Sequence, residues 1–166
     1  MSRRPAGALR RSAYVLPESV TELCLVRVGF RYKGISAAFF ARRIRRDLDA
    51  SVVRALAGGL GLLHSDRFEM GRGHFGLLQY WASFADVERW IGREPHAGWW
   101  REALDRARSK GDFGVYHETY LVPRDRVEST ALNVEATGLA AFGTMVDATG
   151  KAANSRGRLG LGPRGG

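Results

Sequence analysis

The sequence predicts an α+β protein with a ferredoxin-like βαββαβ plan built on an antiparallel sheet. Four segments show the two-residue periodicity of strands, and two regions between them show the spacing of amphipathic helices. Their order is strand, helix, strand, strand, helix, strand, which is the ferredoxin-like order. A chain of 166 residues is long enough for one such domain with an apolar core.

The first predicted strand is ELCLVRVGF, residues 22 to 30, and a helix over about 35 to 56 follows it. Apolar residues recur through that helix at intervals of three and four, which predicts a buried stripe. The stripe consists of Ala37, Ala41, Ile44, Leu48, Val52 and Ala55. The neighbouring arginines, Arg42, Arg43, Arg45 and Arg46, indicate a solvated face with local ion pairs rather than an anion site.

The second half of the plan begins with a hairpin, in which MGRG joins segments 60 to 69 and 74 to 81. Ser83 is placed to cap a helix, and Pro95 suits the first turn of a further helix. The fourth strand covers 113 to 122 and ends before Pro123. One of its faces consists of Phe113, Val115, His117, Thr119 and Leu121.

Three of these strands, the first, third and fourth, carry apolar residues on both faces. Helices cover only one face of a ferredoxin-like sheet, so the second face needs another cover. A second copy of the chain is the simplest cover, and the sequence therefore predicts a homodimer.

Charge and composition divide the chain into three regions: a disordered basic arm over 1–17, the domain over 18–146, and a disordered, Gly-rich basic tail over 147–166. The net charge is +9, but eight of the 26 basic residues lie before residue 15 or after residue 150. The body is close to neutral, which does not favour a nucleic-acid partner. Because the sequence has neither a run of about 20 apolar residues nor a secretory signal, we expect a cytoplasmic protein without a membrane partner.

Metal chemistry is not predicted by the sequence. Cys24 is the single cysteine and lies in an apolar run, which indicates a buried thiol. The histidines have no H-x3-H spacing or similar pairing. We therefore predict no metal site.

Several segments resemble a known family. They are QYWASF at 79 to 84, GDFGVYHETYLVP at 111 to 123, the pairing of His96 with Trp100, and the N-x4-GL of Asn133, Gly138 and Leu139. The family is uncharacterised and is described as similar to the polyketide monooxygenase of fumagillin biosynthesis. It belongs with the dimeric α+β-barrel domains, which include cofactor-free antibiotic-biosynthesis monooxygenases and haem-degrading enzymes. The resemblance covers residues 22 to 145.

The resemblance implies a set of site residues, because the family carries the same residue types at several positions. These are Gln79, Tyr80, Trp81, His96, Trp100, His117, Glu118, Tyr120 and Asn133. The candidate substrate-binding residues are Gln79, Trp81, His96, Trp100 and Asn133, together with Thr119, which shares the face of His117. We expect no cofactor, and haem is the main alternative. Haem-degrading relatives place the ligating histidine about ten residues after a helix tryptophan, and that spacing from Trp90 reaches Trp100, which cannot ligate iron.

His117 is the candidate catalytic residue. A general base needs a pKa near the working pH, and histidine has one without any perturbation. Burial on the apolar face of the fourth strand would keep the imidazole neutral and able to accept a proton. The alternative, a buried imidazole that is hydrogen-bonded across strands, stays open.

Two functions are consistent with these observations. One is a small monooxygenase-like oxidoreductase of secondary metabolism, acting on a hydrophobic aromatic or polyketide-like substrate with His117 as base. The other is a non-catalytic ligand-binding or stress-associated dimer with the same cavity. Turnover of an electron-rich phenol without added metal or flavin would favour the first, and tight binding without turnover would favour the second.

Overall fold

The computed structural model describes residues 11–93, 96–134 and 136–161, and within them it has seven strands and four helices. The strands are β1 (Arg11–Val15), β2 (Glu22–Tyr32), β3 (Leu62–Glu69), β4 (His74–Trp81), β5 (Phe113–Pro123), β6 (Ser129–Leu132) and β7 (Thr144–Val146). The helices are α1 (Ile35–Ala57), α2 (Phe84–Ile91), α3 (His96–Lys110) and α4 (Ser155–Arg158). They form two units: one spans Glu22–Leu121, and the other combines the segments before and after it.

The Glu22–Leu121 unit contains a four-stranded sheet in the order β3-β4-β2-β5. Strand β4 is antiparallel to both β2 and β3, and the register places Val26 opposite Gln79. The two central strands are therefore neighbours in space although α1 and β3 separate them in the chain. The prediction of a ferredoxin-like α+β fold is confirmed.

Helix α1 packs the predicted stripe inward. Ala37, Ala41, Ile44, Leu48 and Ala55 are buried, and Ser51 is buried with them. The arginines lie on the outer side, where Arg43 pairs with Glu102 and Arg45 pairs with Glu69 at 2.9 Å. These ion pairs agree with a solvated face, and exposed pairs of this kind contribute little to stability.

The core of this unit has two aromatic clusters. Phe30 lies at the centre of the first, 5.1 Å from the ring of Phe75 and 5.8 Å from that of Trp99. The second contains Trp81, whose ring lies 5.3 Å from that of Trp90, together with Cys24. Burial raises the pKa of the Cys24 thiol to about 11, which agrees with the predicted buried thiol.

In the other unit, part of the arm that was predicted to be disordered, residues 1–17, forms a strand. Residues 11 to 15 form β1, which pairs antiparallel with β6 on one side and β7 on the other. Backbone hydrogen bonds on both sides order this strand, and the side chain of Ala13 is fully buried. The Arg124 guanidinium fixes the following turn by donating to the carbonyls of Leu16, Pro17 and Val20.

The predicted C-terminal tail is also partly ordered. A 3₁₀ turn covers Gly150–Ala153 and α4 follows it, while the side chain of Arg158 is 2% exposed and bonds Glu128 at 2.8 Å. An Arg that is paired and buried in this way holds its segment in place. Residues 1–10 and 162–166 lie outside the described residues, and the predicted domain boundaries of 18 and 146 stay a prediction. Within the described part of the chain, no helix has the length and apolar character needed to cross a bilayer.

Candidate functional site

A cavity of about 390 Å³ lies between the sheet and the helices of the Glu22–Leu121 unit. The sheet contributes Val26 and Val28 from β2, Gln79 from β4 and His117 from β5. The helices contribute Val87, Trp90 and Ile91 from α2, and His96, Trp99, Trp100 and Arg101 from α3. Its volume is in the range of small-molecule sites, and the walls are mainly apolar with a few polar groups, which is typical of such sites.

Local sequence patterns explain which side chains reach this cavity. Val26 and Val28 are two residues apart on β2 and therefore share a face, and Gln79 lies opposite Val26 in the neighbouring strand. Helix α2 begins at a cap, where the Ser83 hydroxyl oxygen accepts from the backbone N–H of Asp86 at 3.2 Å. From that start, the helical period turns Val87 and Trp90 towards the sheet.

Helix α3 places a histidine among three tryptophans. The His96 ring is buried, with its centre 4.3 Å from that of Trp90 and 4.6 Å from that of Trp99. It is stacked on Trp100 at 6.4 Å. Trp99 and Trp100 are three and four residues after His96, so all three lie on neighbouring positions of the helix surface. The predicted role of Pro95 in the first turn lies outside the described residues.

Gln79 is the most buried polar residue of the cavity wall, with 0% exposure. The indole N–H of Trp81 donates to Gln79 Oε1 at 3.4 Å. Among the described residues, neither Gln79 Nε2 nor Trp99 Nε1 has a hydrogen-bond partner, although both atoms are buried. Two buried donors without acceptors therefore belong to residues that line the same cavity.

His117 lines the cavity from β5, where partial desolvation lowers its pKa below the usual 6.5. The direction agrees with the prediction of a neutral imidazole. The expectation that its side chain is buried was wrong, because His117 is exposed. The physical reason is that β5 is an edge strand with a neighbour on one side only.

Four of the predicted site residues line the cavity: Gln79, His96, Trp100 and His117. Trp81 lies behind Gln79 as a hydrogen-bond donor, and Thr119 is not among the lining residues. Asn133 belongs to the other unit, where its backbone has a positive φ of 55°. The main residue that the sequence prediction missed is Trp99, although its position three residues after His96 on one helix was a usable signal.

The opposite face of the sheet carries a separate polar and aromatic group. Arg27 pairs with Glu118 at 3.1 Å, and its guanidinium lies 5.3 Å from the centre of the Tyr116 ring. Tyr116 Oη and His74 Nε2 are 3.0 Å apart, within hydrogen-bond distance. Glu118 and His117 are thus on opposite faces of β5, as the alternation predicts. The ring of Tyr116 lies directly over Gly29, where an added Cβ would be 2.2 Å from it.

A second cavity of about 340 Å³ shares one side chain with the first. Trp90 lines both cavities, and the second is otherwise formed by the C-terminal end of α1 and by residues that follow α1 and α2. The other residues that line it are Ser51, Arg54, Ala55, Gly58, Leu60 and Arg93. In the described ranges, no group of three or more His, Cys, Asp or Glu residues is arranged to hold a metal ion.

Comparison with solved structures identifies the fold. The aldoxime dehydratase OxdRE, in complex with butyraldoxime, gives a TM-score of 0.54 at 19% identity over 78% of this chain and 36% of that chain. A second aldoxime dehydratase structure gives 0.52 at 17% identity over 86% and 46%. SnoaB, a cofactor-independent oxygenase from Streptomyces nogalater, gives 0.43 at 14% identity over 60% and 91%. The chain thus spans less than half of either dehydratase, and the likeness to the two dehydratases concerns the fold alone.

Comparison of the sequence with protein families gives a more specific result. No curated protein matches the chain. The model of the monooxygenase af470-like family, in contrast, matches residues 23–139, which include every described residue that lines the first cavity. The chain belongs to the monooxygenase af470-like family.

Proposed function

We propose that this protein is a small oxygenase that oxidises a hydrophobic aromatic or polyketide-like substrate held in the 390 Å³ cavity. The observation that carries the proposal is the position of His117, a histidine with a lowered pKa on the wall of an otherwise largely apolar cavity. A mainly apolar pocket with a histidine on its wall suits the binding and deprotonation of an apolar substrate. Membership of a monooxygenase-like family supports the same reaction class.

The proposed reaction starts when neutral His117 removes the proton from a phenol or enol. The resulting anion is electron-rich and supplies the electrons that reduce oxygen, while aromatic side chains hold it in place. For a phenol with a free para carbon, one oxygen atom of O2 becomes the new carbonyl and the other leaves as water. The reaction is balanced without any further reductant.

The substrate class is the finer part of the proposal. The segments 79 to 84 and 111 to 123 resemble the family related to the polyketide monooxygenase of fumagillin biosynthesis. We infer from this a role in secondary metabolism, with an aromatic or polyketide-like substrate. The volume of the cavity suits a molecule of two or three rings.

Oxygen uptake with 1-naphthol as substrate, measured across pH in metal-free and flavin-free buffer, tests the proposal. Conversion to 1,4-naphthoquinone is expected, with one O2 consumed per product. Because the base form of His117 is needed, kcat/KM should rise with pH, with a midpoint below 6.5, and stay level through neutral pH. Tight binding of 1-naphthol without oxygen uptake would support the non-catalytic ligand-binding alternative instead.

The proposal includes a homodimer in which the face of the sheet opposite the helices meets a second copy. Leu25 and Leu78 are half-buried on this face, and Tyr120 is 51% exposed there. This face is therefore partly apolar, which suits a surface that meets a partner. The helices occupy the opposite side.

Native mass spectrometry measures the number of copies directly, and we expect two for the unchanged chain. Leu78→Glu introduces a charge at the proposed interface and should give single copies. Val53→Glu is the matched control, because Val53 is 64% exposed on the outer side of α1. A single-copy mass for the unchanged chain would contradict the proposed dimer.

A further inference from the structure

We propose that Gln79 and Trp99 form a two-donor site for an anionic oxygen, so that the cavity binds planar apolar phenols or enols as their conjugate bases. The inference rests on the proposed function in that it concerns the ligand of the same cavity. Binding of the anion can nevertheless be measured by itself, whether or not the protein oxidises any substrate.

The first step is the orientation of the Gln79 amide. The oxygen and nitrogen of an amide can often be exchanged without a visible change in shape, so the assignment must come from the hydrogen-bond partners. The partner here is the indole N–H of Trp81, which can only donate. The atom that accepts this bond is therefore the oxygen, Oε1. The two N–H groups of Nε2 are left without an acceptor among the described residues.

The second step concerns the indole of Trp99, which is 4% exposed. Ring contacts at 5.8 Å to Phe30 and 4.6 Å to His96 position the indole within the aromatic cluster. Its Nε1 is buried and has no acceptor in the part of the chain that the structure describes. Buried donors are almost always paired in folded proteins. Two exceptions among the described residues that line one cavity indicate that the missing acceptor comes from a ligand.

The third step is the chemistry of that acceptor. The described residues that line the cavity include neither Asp nor Glu, so this described part of the wall offers no carboxylate to these donors. Two N–H donors in a mainly apolar site stabilise a negative oxygen more than a neutral one, because the interaction with charge is stronger at low dielectric. Arg101 adds a positive charge to the same wall. An aromatic or enolic oxygen anion satisfies the donors and also matches the apolar surroundings.

A spectroscopic titration tests this assignment, with 4-nitro-1-naphthol as the probe. Its para carbon is blocked, so that it can bind without being oxidised in the proposed reaction, and its anion absorbs visible light. We expect the apparent pKa of the probe bound to the unchanged protein to lie about one to two pH units below its value in buffer. Gln79→Met and Trp99→Phe should each remove about one unit of that shift and weaken binding of the anion about tenfold.

Trp100→Phe is the matched control, because Trp100 lines the cavity but its indole nitrogen is not among the buried donors without partners. This variant should weaken binding of the anion and of the neutral probe alike and leave the bound pKa unchanged. Circular dichroism establishes that each variant is folded.

A second measurement uses only the unchanged protein and does not depend on variants that fold. At a pH where the probe is ionised, the naphtholate should bind at least tenfold more tightly than 1-methoxy-4-nitronaphthalene, its methyl ether. A raised bound pKa, equal affinities, or no binding of either molecule would overturn the two-donor site. If the protein binds the probe anion selectively but takes up no oxygen with 1-naphthol, the two-donor site is supported and the proposed oxygenase is rejected.

Discussion

His117→Ala is expected to lower kcat/KM for oxidation of 1-naphthol by a factor of about 10² to 10⁴, the range typical for loss of a general base. The imidazole is the group on the cavity wall whose lowered pKa keeps it neutral and able to accept a proton near neutral pH. Alanine removes the proton acceptor but leaves the walls formed by α2 and α3. The measurement is the initial rate of oxygen uptake at neutral pH.

His64→Ala is the control for this substitution. His64 lies on β3 with Nε2 2.9 Å from Asp66 Oδ1, and it is not among the residues that line the cavity. The rate should be unchanged in His64→Ala. The unfolding temperature of His117→Ala should also stay close to that of the unchanged chain, because substitutions at exposed positions usually change stability by less than about 0.5 kcal/mol. Equal rates for the two variants would remove His117 from the proposed mechanism.

Trp81→Ala is expected to lower the free energy of unfolding by about 3 to 5 kcal/mol, as large-to-small substitutions of buried aromatic residues do. The Trp81 side chain is 0% exposed and packs against Trp90 with 5.3 Å between ring centres. Its loss leaves a void and also removes the N–H that bonds Gln79. Urea unfolding followed by circular dichroism measures the change without reliance on tryptophan fluorescence.

Trp81→Phe separates packing from hydrogen bonding, because phenylalanine keeps much of the ring volume but has no N–H. We expect a smaller loss of stability than in Trp81→Ala, together with a weaker preference for the naphtholate, since the Gln79 amide is then free to rotate. A loss below about 1 kcal/mol in Trp81→Ala would show that the cluster around Trp81 repacks easily.

The sequence predicts the central sheet well, because the buried side chains follow local periodicity. The alternation in β4 places Gln79 and Trp81 on one face, and the three- and four-residue spacing in α1 identifies its buried stripe. Strand β1 was missed for a physical reason. The RSAYV segment has little alternation of its own, and its order comes from β6 and β7, which lie far away in the sequence.

The site was predicted only in part for a similar reason. Helical periodicity shows that Trp99 and Trp100 are both close to His96, but the rotation of α3 on the sheet determines which indole is deeply buried. The exposure of His117 depends on the position of β5 at the sheet edge, and strand order is a non-local property. The donors of Gln79 and Trp99 lack partners among the described residues, and only the three-dimensional arrangement of these residues shows this.

Replacement of Trp90 is expected to change the range of ligands that this protein can bind. Trp90 lines both the 390 Å³ cavity and the 340 Å³ cavity. A smaller side chain at this position would join the two spaces and admit a longer molecule, while His117, Gln79 and Trp99 stay as they are. Under the proposed function, we therefore expect ligand length and ligand chemistry to depend on different residues, so that one can diverge among related chains without loss of the other.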